Sequence, residues 1–130
     1  METVASRTYK VKRSEFPLTV TVAPKNTTGN AATTVVVGHI REMKDGVEID
    51  EHDAAIDDAE GILTYDIAAP QSTGGVDLVQ TLLGFFAKNE KDNARFEITI
   101  ETSAGDKAPS TSIRRPTFNP GTATLKFRIQ

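Results

Sequence analysis

From Thr122 to Gln130 polar and apolar side chains alternate without a break. Ala123, Leu125, Phe127 and Ile129 take one parity; Thr122, Thr124, Lys126, Arg128 and Gln130 take the other. Successive residues of a strand point to opposite faces, so the segment predicts a strand with one buried and one wet face. "RFEITIE" repeats the pattern with Phe96, Ile98 and Ile100 inward, and "PLTVTVAP" does so with Leu18, Val20 and Val22. "GILTYDIAA" turns Leu63, Tyr65 and Ile67 the same way. "RTYKVKR" carries enough charge to suit an edge, and "TTVVVGHI" reads as a β-branched strand covered on both sides. "HIREM" and "GVEID" flank "KDG", and Asp-Gly favours a hairpin between them. "STSIRR" reads as one further short strand.

One segment departs from period two. In "VDLVQTLLGFFAKN" the residues Val76, Val79, Leu82, Leu83 and Phe86 recur at helical spacing. Asp77 early and Lys88 late suit the dipole of a helix. The pattern predicts one amphipathic helix over about 75–88. Leu78 and Phe85 lie on its second flank, so either the helix is deeply seated or another chain covers part of it. The expected fold is mainly β: an antiparallel β-sandwich or bent sheet of about seven to eight strands with that helix packed on it. The whole chain, 1–130, reads as one domain.

The passage "LTYDIAAPQSTGGVDLVQTLLGFF" resembles the last-strand-to-helix passage of single-stranded RNA phage coat proteins. That resemblance spans about a fifth of the chain and implies self-assembly into a shell. The chain departs from it in two respects. Some forty residues of further strands follow the helix, and the net charge of −3 is unsuited to an RNA-filled shell.

Charge changes the picture further. From Asp45 to Ala87 there are ten carboxylates and no Lys or Arg, whereas the rest of the chain holds all fifteen bases and eight acids. Segregation on this scale steers association, including association between copies of one chain. With a pI near 5.4, broad binding to nucleic acid is disfavoured. Arg7, Lys10, Lys12 and Arg13 near one end, and Arg114, Arg115, Lys126 and Arg128 near the other, would join into a basic strip if the terminal strands were neighbours. No apolar run approaches the length of a membrane span, and the first ten residues lack the apolar core of a signal peptide, which leaves the compartment open.

The densest acidic stretch is "EIDEHDAAIDDAEG", residues 48–61. Asp50, Asp53, Asp57, Asp58 and Glu60 offer hard oxygen ligands of the kind calcium prefers, although their spacing is not that of an EF-hand loop. The simpler expectation is a solvated connection between strands. With no Cys in the chain, zinc would have to rely on His39, His52 and carboxylates. No nucleophile elbow or phosphate loop appears, and the carboxylates have no evident partners that would drive their pKa values apart. Two functional expectations follow. The first is a non-enzymatic structural or interaction subunit, of the virion or appendage type, that binds copies of itself and needs no cofactor. The alternative is a calcium-dependent ligand-binding β-sandwich module using residues 48–60.

Overall fold

The computed structural model describes residues 2–24, 33–59, 62–70, 75–87, 95–107, 111–114 and 121–130. The protein is mainly β. Eleven strands run in chain order among those residues: β1 (Glu2–Val11), β2 (Leu18–Pro24), β3 (Thr33–Val37), β4 (Ile40–Lys44), β5 (Val47–His52), β6 (Ile56–Ala59), β7 (Ile62–Ile67), β8 (Leu78–Ala87), β9 (Arg95–Glu101), β10 (Thr111–Arg114) and β11 (Gly121–Ile129). One 3-10 turn, Arg13–Glu15, follows β1.

The strands form two sheets. The first has the order β1-β11-β8-β4-β5, with β3 also paired to β8; the second has the order β10-β9-β2-β7-β6. Pairing is antiparallel except between β1 and β11, which run parallel and bring the two ends of the chain together. Lys10 stands beside Arg128 and Thr8 beside Lys126 in that pair, so of the terminal bases Lys10, Lys126 and Arg128 share one face. Arg7 falls at the other parity, opposite Leu125, and residue 115 lies outside the described residues. On the opposite face Tyr9 stacks on Phe127, with ring centroids 5.4 Å apart.

Both sheets contribute to one apolar core. Leu18, Val20 and Val22 of β2, Leu63, Tyr65 and Ile67 of β7, and Phe96, Ile98 and Ile100 of β9 are buried from one side. Val79, Leu83 and Phe85 of β8 and Ala123, Leu125 and Phe127 of β11 are buried from the other. Phe85 and Phe96 meet across the two sheets with centroids 5.3 Å apart. These residues have the inward parity their alternation predicts, because only one register hides every large apolar group.

The expected helix is not found. Its central residues, Leu78–Ala87, form strand β8, and residue 88 lies outside the described residues. The run "LVQTLLGFF" is apolar at both parities, so it satisfies a helical stripe and a strand equally well. What decides is the surroundings. β8 lies between β11 on one side and β3 and β4 on the other, and its backbone is hydrogen-bonded along both edges. Gly84, unfavourable in a helix, fits this strand. A Cβ there would lie 2.9 Å from the Phe86 ring and 3.0 Å from Val36 Cγ2.

Two further expectations change. The acidic stretch is strand rather than loop for most of its length, as β5 and β6 joined by residues 53–55. The run "TTVVV" forms β3 but is not covered on both faces, since Val36 is 44% exposed.

Candidate functional site

β4 and β5 make a tight hairpin across Asp45 and Gly46. Both turn residues have positive φ, 50° and 80°, as a two-residue hairpin loop requires. β5 is the outermost strand of the first sheet, and a register shift falls between Glu42 and Met43. A bulge of this kind re-aims the side chains on either side of it.

On this hairpin Ile40 and Glu42 face the interior, both almost fully buried. Cross-strand neighbours on one face of an antiparallel pair share that face. The partner of Ile40 is His52 and the partner of Glu42 is Asp50. These side chains therefore collect on the inner side of the sheet margin. With Ala68 and Ala69, Glu42, Asp50 and His52 line a cleft of about 290 Å³.

Glu42 is the unusual member. Its side chain is only 3% exposed, and Oε2 lies 3.7 Å from His52 Nδ1. Oε1 is shielded from solvent and has no hydrogen-bond partner. Asp50 is exposed at the mouth, where its Oδ1 accepts a hydrogen bond from the Glu51 amide at 2.9 Å. Arg41 and Glu48, on the outer face of the same hairpin, pair at 3.1 Å. Among the described residues no Lys or Arg lines the inner cleft.

The acidic residues proposed as calcium ligands are dispersed. Asp50 belongs to the cleft on β5. Asp53 lies in the following connection, highly exposed, with Oδ1 2.7 Å from His39 Nδ1. Asp57 and Asp58 are consecutive on β6, beside Thr64 and Leu63, so their side chains leave opposite faces of the strand. Glu60 lies outside the described residues. Among the described residues no three His, Asp or Glu side chains are placed to hold a metal ion.

The two residues proposed for an interface separate as well. Positions seven apart share a flank of a helix but fall on opposite faces of a strand. Phe85 is fully buried in the core, and Leu78 is partly buried on the other face of β8. The exposed large apolar residues among those described lie elsewhere: Leu82 and Val36 on the outer face of the first sheet, Val47 and Ile49 on β5, Ile56 on β6 and Ile62 on β7.

Sequence reasoning passed over Glu42. Its only signal was an acid at the parity of Ile40 in "HIREM", the inward parity of a predicted strand.

Compared with known families, characterised proteins and solved structures, the chain matches none. The resemblance to phage coat proteins rested on a strand–loop–helix passage, and its helical half is strand β8.

Proposed function

We propose that the chain is a non-enzymatic β-sandwich subunit that assembles with copies of itself, the acidic margin of one copy against the basic margin of the next. The observation that carries this reading is the opposite charge at the two ends of the sheets. β5 and β6 are the outermost strands on one side, joined by three residues, and they bear Glu48, Asp50, Glu51, Asp57 and Asp58. β1 and β10 are the outermost strands on the other side. β1 bears Arg7 and Lys10, followed by Lys12, and its neighbour β11 adds Lys126 and Arg128.

An outermost strand offers a row of backbone donors and acceptors to any chain that approaches it. Complementary charge draws the correct margins together and keeps like margins apart. The exposed Val47, Ile49 and Ile56 add apolar area where the acidic margin would be covered. Because the two contacting patches differ, the association is heterologous and builds a ring or a filament rather than a two-fold dimer.

Light scattering of the purified chain at low and high salt tests the reading. Oligomers at low salt that shrink as salt is raised are expected, because the Debye length falls from ~30 Å at 0.01 M to ~3 Å at 1 M. A monomer at every ionic strength and at high protein concentration would overturn it.

A further inference from the structure

We propose that the cleft between the β4–β5 hairpin and Ala68–Ala69 is a binding site for a guanidinium group. Glu42 supplies the first reason. A carboxylate taken out of water without a partner is costly, and folded proteins resolve the cost by pairing it with a cation. Here one carboxylate oxygen is enclosed and unpartnered, and the other has only the imidazole of His52 at 3.7 Å. Among the described residues no Lys or Arg lines the space. The neighbouring Arg41 is engaged by Glu48 on the far side of the sheet.

Size and shape select the kind of cation. About 290 Å³ is far more than a bare metal ion needs, and the short side chains of Ala68 and Ala69 keep the space open. The donors on the described residues are not arranged for a metal. A guanidinium is planar, weakly hydrated and carries its donors in a fork. Asp50 is the cross-strand partner of Glu42 and lines the same cleft, which offers the fork a second carboxylate at the mouth. His52 closes one flank of the site. The bulge between Glu42 and Met43 lies at the base of this arrangement, where bulges commonly set side-chain direction.

Two sources carry this chemistry: a free guanidino compound and an arginine side chain presented by a polypeptide. Binding to a single chain suffices, so the assignment stands whether or not copies associate. The experiment is a titration of the full chain with agmatine and, separately, with N-acetyl-arginine methylamide. It is followed by melting temperature and by the ring resonances of His52. A saturable rise in melting temperature with movement of the His52 signals is the expected result. Response to both probes identifies an arginine side chain as a competent ligand; response to agmatine alone identifies a free compound. Glu42→Gln keeps the shape of the side chain and should weaken binding ~tenfold or more, as loss of a charged hydrogen bond does. Ala69→Leu fills the cleft without touching the carboxylate and should abolish binding in a chain that keeps its circular dichroism. The assignment is overturned if neither probe binds, if binding survives both substitutions, or if only calcium or zinc chloride produces the response.

Discussion

The hydroxyl of Tyr65 on β7 and the hydroxyl of Thr81 on β8 lie 2.9 Å apart inside the apolar core, linking the two sheets. Each is the other's partner in a place water does not reach. Removing one hydroxyl strands the other, at a cost of ~1–3 kcal/mol. Tyr65→Phe and Thr81→Val should each destabilise the protein by about that amount in urea unfolding. The double variant should lose less than the sum, giving a coupling of ~0.5–3 kcal/mol. Strict additivity would mean that the two hydroxyls do not interact.

The same residue sets an alkaline limit. Burial pushes the Tyr65 phenol well above its usual range, with the Thr81 hydrogen bond opposing and the nearby Tyr9 adding to the shift. Up to the ordinary tyrosine value of 10.0 both folded and unfolded chains keep the proton, and this contribution to stability is complete. Above it the unfolded chain ionises while the folded chain does not, so stability falls as pH rises. Between pH 10 and 11.5 the decline in melting temperature should be shallower in Tyr65→Phe than in the parent chain.

Leu82 and Leu83 are neighbours with opposite fates. Leu83 is fully buried, whereas Leu82 is 40% exposed on the outer face. Leu83→Ala should cost ~2–5 kcal/mol, the range for a truncated core leucine. Leu82→Ala should cost less than about 1 kcal/mol, by the ordinary scale of surface substitutions. In a helical stripe containing both residues the two losses would be comparable, so equal values from denaturant unfolding would contradict strand β8.

Gly46 holds φ at +80° in the β4–β5 turn. Nothing crowds the place where a Cβ would sit, so only backbone strain opposes a side chain there. Gly46→Ala should therefore destabilise by roughly 1–2 kcal/mol. Faster amide exchange in β5, with the second sheet unaffected, would accompany the loss.

Charge reversal gives a sharper test of assembly than salt does. Asp57→Lys with Asp58→Lys removes most of the negative charge of the acidic margin; Arg7→Glu with Lys10→Glu removes most of the positive charge of the basic one. Each pair of substitutions alone should shift the chain toward monomer, because the attraction between unlike margins is largely lost. Mixing the two proteins should restore light scattering at low salt. If the mixture stays monomeric while the parent chain assembles, contacts other than these margins hold the assembly.

Much of the β architecture was legible because alternation is a local property. In β2, β7, β9 and β11 every second residue is apolar, only one register buries them all, and the structure uses that register. The Asp-Gly turn was equally readable, since positive φ at two consecutive positions demands particular residues. Residues 78–86 were not readable in this way. A run apolar at both parities states only that it will be covered, and the choice between helix and strand was made by β11, β3 and β4 on either side of it.

The cleft divides in the same way. The sequence by itself determined the number of carboxylates in the central third of the chain, the absence of bases among them, and the inward parity of position 42. Only the tertiary structure decided which acids are wet and which are enclosed. Asp53, Asp57 and Asp58 go to the exposed margin, while Glu42 is buried on the inner face of β4 beside His52. The physical reason is that the strand pattern fixes the side of a sheet on which a residue lies. Pairing order and the packing of one sheet on the other fix whether that side is open to water.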